Sequence, residues 1–372
     1  MQQVLHFQAE RIEQVLACHK VPSRVTGGTV TPRLVRFHVA TPFGVRVKQV
    51  AGLAEEIAHG LGARSCRVYR DEGRVQVEVP RRDAQVVHLM PLCQRLASQG
   101  PGTVPPITAV LGLDQEGAPL LLRLPSPNVA HVLIAGTTGS GKTALARTIV
   151  ASLALHNSQR NLQLAIVDPK GRGLSCFEGL PHLVAPVVTR ADEALPLLQR
   201  LVAEMERRDA EARCDPRLVL VLDELADLVQ VGGREVEQLL TRLTQRGREA
   251  GLHLVACTQK PAAVVIGSLV KSNFPVRLVG SVASPEDAKV ASGLARTGAE
   301  RLLGQGDFLL VAKGQVMRLQ AAYVDEGEVR QLVERCQAGA APLLLAATGT
   351  DGRGNNGAGL ATRLRSRLQR VK

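Results

Sequence analysis

Eight residues, GTTGSGKT, run from Gly136 to Thr143. Their types and spacing suit a loop that wraps phosphate groups. Gly136, Gly139 and Gly141 let successive backbone N–H groups turn inward. Thr137, Thr138 and Ser140 complete the loop, Lys142 can reach the outer phosphates, and the hydroxyl of Thr143 can ligate magnesium. The apolar run HVLIA precedes the loop and the helical run TALARTIVASLAL follows it. The start of that helix adds its partial positive charge. A second stretch, RLVLVLDELADL, ends an apolar strand on Asp223 and Glu224. Asp223 can hold magnesium through water, and Glu224 lies where it can polarise an attacking water. Two adjacent acids at a strand end favour hydrolysis of the triphosphate over binding alone. A third stretch, LHLVACTQKP, ends on Thr258 and Gln259. On a strand beside that of the phosphate loop, Gln259 could sense the γ-phosphate.

These groups need a scaffold. HVLIA, LQLAIVD, RLVLVLD, LHLVACT and VRLVGSV are short apolar runs of the kind found in buried parallel strands. Helical stretches between most of them predict a doubly wound α/β sheet over residues 131–337. Residues 1–85 mix helical spacing, in ERIEQVLACHKV and VAGLAEEIAHGLGA, with strand alternation in RLVRFHVA and RVQVEVP; this is a small α+β unit. Residues 86–130 read as a connector carrying a hairpin, with Asp114 to Gly117 at its turn. Residues 338–372 change to an Ala/Gly-rich linker and a basic amphipathic end. There Leu360, Leu364, Leu368 and Val371 share one helical face among four arginines and a lysine, a pattern suited to DNA or to a partner protein.

The composition bounds the partners. The 372 residues carry a net charge of +12, which suits a polyanion. Aromatics are only 2% and tryptophan is absent, so a single-strand stacking platform is disfavoured and a grip on duplex phosphates is favoured. Seven scattered cysteines form no C-x-x-C pair, which argues against a disulfide framework or a zinc site. No apolar run approaches a membrane span and no signal peptide is evident, so a cytoplasmic protein that does not insert into membranes is expected.

HVLIAGTTGSGKT, AIVDPKGRGLSCFEGLPHL, VLVLDELADLV, RLTQRGREAGLHLVACTQKP, LVKSNFPVRLVGSV and GAERLLGQGDFLLV, in that order and spacing, resemble the FtsK/SpoIIIE family of DNA translocases. Residues 27–80 are similar to the small α domain that precedes the motor in that family. The resemblance implies a RecA-like P-loop NTPase core with a mainly parallel sheet. It implies ATP and Mg2+ as cofactors, and a homo-oligomeric ring, a hexamer, around double-stranded DNA, with hydrolysis at subunit boundaries. Arg277, in FPVRLVG, matches a position suited to complete a neighbour's site as an arginine finger.

Twelve residues on, the family has Asp-Ser-Arg where this chain has Asp287, Ala288 and Lys289. Lysine keeps the charge and loses the planar fork, so Lys289 is assigned to the DNA channel with Arg301 as a second contact. Gly173 stands where the family commonly has glutamate. The membrane helices and winged-helix domain of larger members are not expected here. A packaging or conjugative coupling ATPase, a non-translocating DNA clamp and a protein-pumping ATPase are the alternatives.

Overall fold

The computed structural model describes residues 2–71, 73–100, 102–259, 273–340 and 342. The chain divides into two compact units, residues 1–86 with 115–117, and residues 87–114 with 118 onward.

The first unit holds α1 (Gln2–Cys18), β1 (Arg24–Val30), β2 (Leu34–Ala40), α2 (Val47–Ala51), α3 (Ala54–Leu61), β3 (Arg67–Asp71) and β4 (Arg74–Pro80). Its antiparallel sheet runs β1-β2-β4-β3. The alternation read in the sequence puts Val35, Phe37 and Val39 of β2 and Val75, Val77 and Val79 of β4 into one core. Ile12, Leu16, Val50 and Ile57 of the helices close it. On β2 and β4, Arg36 and Glu78 form a buried ion pair at 3.3 Å, and the Tyr69 hydroxyl donates to the same carboxylate at 2.7 Å.

The second unit holds α4 (Leu89–Ala97), β5 (Thr108–Asp114), β6 (Pro119–Arg123), β7 (Val132–Ala135), α5 (Lys142–His156), β8 (Leu162–Val167), α6 (Ala194–Ala210), β9 (Arg217–Leu222) and α7 (Leu225–Arg246). It continues with β10 (Leu252–Thr258), β11 (Val276–Val279), α8 (Pro285–Ser292), β12 (Asp307–Ala312), β13 (Gln315–Ala321) and α9 (Glu326–Gln337). Nine strands form one sheet in the order β6-β5-β13-β12-β11-β7-β10-β9-β8. The five runs expected as parallel strands are those strands, and they pair in parallel from β11 to β8. Four antiparallel strands extend the sheet beyond β11. Of residues 86–130, expected as a connector, 87–114 and 118–130 belong to this unit and supply α4, β5 and β6.

Side-chain alternation divides the core between the two faces. Val132, Ile134, Leu164, Ile166, Val219, Val221 and Val255 pack with Leu145, Ile149 and Leu153 of α5 on one side. Leu133, Ala165, Val167, Leu218, Leu220 and Leu254 pack with Leu197, Leu201, Leu228 and Leu240 of α6 and α7 on the other. Strands buried on both faces need apolar residues at nearly every position, which is why these runs do not alternate. Among the described residues, no helix is long and apolar enough to cross a membrane. The basic end of the chain, 343–372, lies outside the described residues.

Candidate active site

Four neighbouring parallel strands end together. Ala135 of β7 is the register partner of Thr258 of β10, and Leu222 of β9 pairs with Ala256 of β10 and Val167 of β8. The residues that follow them, Gly136, Asp168, Asp223 and Gln259, therefore share one edge of the sheet. Open α/β sheets bind ligands at that edge.

The phosphate loop leaves β7 through Gly136 and turns on Gly139 and Gly141, whose φ angles are 82° and 100°. L-residues with a Cβ avoid that region. The loop is tied down from outside. The N–H and hydroxyl of Thr137 donate to the Ser281 carbonyl at 2.8 and 3.0 Å. The N–H groups of Gln305 and Gly306 donate to the carbonyls of Gly139 and Ser140 at 3.1 and 3.0 Å. Lys142 opens α5 and is only 6% exposed, with its Nζ donating to the Thr137 carbonyl at 2.9 Å. Burial lowers its pKa, while the carboxylates of Glu224 and Asp223 oppose that shift. The ammonium rests on its own loop, within reach of a phosphate that could replace the carbonyl.

Thr143 and Asp223 meet as their spacing in the fold requires: Oγ1 donates to Oδ1 at 3.0 Å. Burial raises the Asp223 pKa, the Thr143 hydrogen bond lowers it, and the neighbouring Asp168 raises it. Asp168 is fully buried. Its Oδ2 accepts from the N–H groups of Gly173 and Leu174, both at 2.8 Å, and its Oδ1 has no hydrogen-bond partner. The carbonyl of Gly173 accepts from Arg147 Nε of α5 at 3.0 Å, and Arg147 Nη2 also reaches Glu326 at 3.3 Å. A Cβ built on Gly173 would overlap the Cγ2 methyl of Thr143. A side chain at this position, where the family commonly has glutamate, would therefore require Thr143 to move.

Glu224 precedes α7 with φ 82° and ψ 76°, a left-handed conformation that costs a non-glycine residue of order 1 kcal/mol or more. Its Oε1 accepts from the Gln259 N–H at 3.2 Å and the Thr258 hydroxyl at 3.4 Å. Its Oε2 lies 3.9 Å from Lys170 Nζ, which also sits 3.3 Å from Asp227. Burial raises the Glu224 pKa, which makes its carboxylate a stronger base than a solvated one. The Gln259 side chain accepts from the Thr138 hydroxyl at 3.2 Å, so the β10 end and the phosphate loop are directly linked.

Thr143 and Asp223 form an oxygen-only donor pair, and among the described residues no three His, Cys, Asp or Glu side chains converge as a metal cage. This suits Mg2+, which keeps waters and phosphate oxygens in most of its octahedron. The unpartnered Oδ1 of Asp168 adds an acceptor near the pair.

Arg277, matched by resemblance to a position that completes a neighbour's site, is 9% exposed in this subunit, and its guanidinium donates to the carbonyls of Phe274, Val290 and Ala291 at 3.4–3.5 Å. It thereby binds β11 to the C-terminal end of α8, where a cation is favoured. Lys289 is exposed on α8, and Arg301 is 74% exposed in a 3-10 turn with its Nε 3.5 Å from Glu300.

The sequence reading missed Asp168, Lys170, Ser281 and the Gly304–Gly306 turn. Asp168 and Lys170 follow β8 as DPK, a polar group at a strand end, which was an available signal. The backbone contacts of Ser281 and Gly304–Gly306 leave no side-chain signature.

Residues 1–81 match the FtsK alpha domain, and residues 102–213 and 208–263 match the FtsK/SpoIIIE family. The chain is 33% identical over 369 residues to the DNA translocase FtsK of Mycobacterium tuberculosis, covering 90% of this chain and 44% of that protein. It is 34% identical over 364 residues to the DNA translocase SftA of Bacillus subtilis, covering 91% of this chain and 38% of that protein. It thus spans less than half the length of these relatives. Among solved structures, the pCW3 conjugation coupling protein TcpA in its monomer form with ATPgS superimposes with a TM-score of 0.58 at 18% identity, covering 88% of this chain and 99% of that one. The cytoplasmic domain of the Thermomonospora curvata Type VII secretion ATPase EccC superimposes with a TM-score of 0.54 at 27% identity, covering 62% of this chain and 31% of that one.

Proposed function

The chain belongs to the FtsK/SpoIIIE family, and from that premise we propose that it is an ATP-driven translocase of double-stranded DNA. One observation carries the reading: Thr143, Asp223 and Glu224 converge on the phosphate loop at one sheet edge, with Thr143 and Asp223 3.0 Å apart. The N–H groups of residues 137–143 bind the β- and γ-phosphates of ATP, and Lys142 exchanges the Thr137 carbonyl for a phosphate oxygen. Thr143 and Asp223 would hold Mg2+, which would supply neutralisation of the charge that builds on the phosphate oxygens. Glu224 takes the proton of the attacking water, its carboxylate aimed by the Gln259 N–H. Gln259 also bears on the phosphate loop through Thr138, so its contact with the γ-phosphate is lost on hydrolysis and the β10 end is released.

Subunits assemble as a hexameric ring around the duplex, with each site at a subunit boundary. The +12 charge supplies the grip on phosphates, with Lys289 and Arg301 as exposed candidates. Arg277, bonded in this subunit to carbonyls of its own chain, is the candidate for the cation that completes a neighbour's site, and subunit mixing with Arg277→Ala tests that role.

The test is triplex displacement on linear duplex DNA with ATP, beside DNA-stimulated hydrolysis. A motor strips the third strand; a clamp binds and strips nothing. Lys142→Ala should abolish both activities. ATP turnover indifferent to duplex at low salt would end the reading. The similarity to the secretion ATPase EccC favours a second reading, a protein-pumping motor. It requires that duplex leave turnover unchanged.

A further inference from the structure

We propose that Gly173 is a positioning residue for the metal site: its missing side chain lets the chain after β8 close against Thr143 and fix that hydroxyl on Asp223. The inference rests on the nucleotide and magnesium reading of the site and adds a residue to it.

Three observations lead there. Gly173 is held from both sides, its N–H on Asp168 Oδ2 at 2.8 Å and its carbonyl on Arg147 Nε at 3.0 Å. Asp168 is fully buried at the end of β8 and Arg147 is buried on α5, so the segment cannot drift. A Cβ on Gly173 would collide with the Thr143 Cγ2 methyl and come within 3.3 Å of Asp223 Oδ2.

The need is for space alone. The φ of Gly173 lies outside the left-handed region, so its backbone would accept other residues. What a Cβ cannot do is share room with the methyl of Thr143. That methyl sits on the same Cβ as the hydroxyl that meets Asp223. Pushing it away rotates χ1, and the hydroxyl leaves the carboxylate. Staggered rotamers make this a discrete change, not a graded one. Asp168 lies close enough to raise the Asp223 pKa, and among the described residues its buried Oδ1 has no hydrogen-bond partner.

The steric origin permits a rescue that a general structural role would not. Gly173→Ala restores the collision. Thr143→Ser in the same chain removes the Cγ2 methyl and keeps the hydroxyl. The remaining contacts of the new Cβ are with the residue 143 Cβ at 3.5 Å, ordinary packing, and with Asp223 Oδ2 at 3.3 Å, which asks that carboxylate to give by a few tenths of an ångström.

Binding of a fluorescent ATP analogue to the full chain is titrated with magnesium chloride and, separately, measured in excess chelator. In Gly173→Ala the magnesium concentration for half-maximal effect should rise by roughly 10- to 100-fold, the usual consequence of losing an outer-shell partner. Affinity in chelator should move by less than about 2-fold. Adding Thr143→Ser should return the magnesium dependence to within about 2-fold of the Thr143→Ser single variant. Thermal melts accompany each protein. If Gly173→Ala fails to fold and the double variant folds, the steric account stands; if both fail, it falls. Wild-type magnesium dependence in Gly173→Ala, or no rescue by Thr143→Ser, overturns this inference while leaving the nucleotide site intact. Wild-type protein that binds the analogue no better than Lys142→Ala overturns the nucleotide reading, and this inference with it.

Discussion

Replacing Arg277 with alanine separates two roles that one guanidinium cannot hold at once. In the structure it donates to three carbonyls, on Phe274, Val290 and Ala291, and is 9% exposed. Truncation leaves buried acceptors unpaired and opens a void between β11 and α8. The bonds are long, 3.4–3.5 Å, so each is assigned the low end of the cost of a lost buried hydrogen bond, about 1 kcal/mol. With the void, the loss comes to roughly 3–5 kcal/mol. A unit of this size melts about 2–4 °C lower per kcal/mol lost, which places the drop at about 6–20 °C. Differential scanning fluorimetry reads it directly. The second readout is subunit mixing: wild-type protein doped with the variant loses ATP turnover in proportion to dilution if the defect stays in its own subunit, and more steeply if Arg277 acts across a boundary. A variant that melts within about 1 °C of wild type and binds nucleotide normally would refute the reasoning.

Other consequences follow from the same geometry. Glu224→Gln should keep nucleotide affinity within a few-fold, while turnover falls by about 10²–10⁴, as expected when a general base is removed; turnover at the wild-type rate would take Glu224 out of the mechanism. Asp307 and Arg318 form a buried bidentate pair, at 2.8 and 2.7 Å, beside the turn that holds the phosphate loop. Asp307→Asn should cost about 1–3 kcal/mol in unfolding experiments by replacing a charge-assisted bidentate pair with a neutral acceptor, and nucleotide affinity should fall with it. His131 and His253 are pulled from 6.5 down to about 3 and about 4, first by burial. The His131 Nδ1 accepts from the Leu254 N–H at 3.0 Å, which requires the neutral ring. Depressed folded-state values mean that the unfolded chain takes up protons first. Stability is therefore complete above 6.5 and erodes as pH falls, by about 2 kcal/mol per ring at pH 5. Melting temperatures measured across that interval should fall; equal values at its two ends would contradict the burial of neutral rings.

Much of this was legible because the chemistry lies where chain periodicity changes. Gly136 to Thr143 and the pair Asp223–Glu224 each break an apolar run at a strand end, and a parallel strand must expose its carboxyl end to something polar. The five parallel strands were visible because burial on both faces forces unbroken apolar runs such as VLIA and LVLVL. Arg277 was legible only by resemblance, as a position suited to act across a boundary. Its bonds within the subunit, to carbonyls at the end of α8, were not. Only tertiary packing brings those carbonyls to it. Gly173 looked like a missing glutamate because a sequence registers which side chain is absent and not which neighbour fills the space. The β5–β6 hairpin was recognised as a hairpin, but its place beside β13 depends on pairing between segments about 200 residues apart, which no local pattern encodes.

The phosphate loop leaves β7, whose two flanking strands, β10 and β11, lie more than a hundred residues further along the chain, and whose outer clasp at Gln305 and Gly306 comes later still. During synthesis, a ribosome that has released only the loop and α5 presents that strand with neither flank. The loop therefore gains its flanking strands and its clasp only once nearly all of the second unit has emerged.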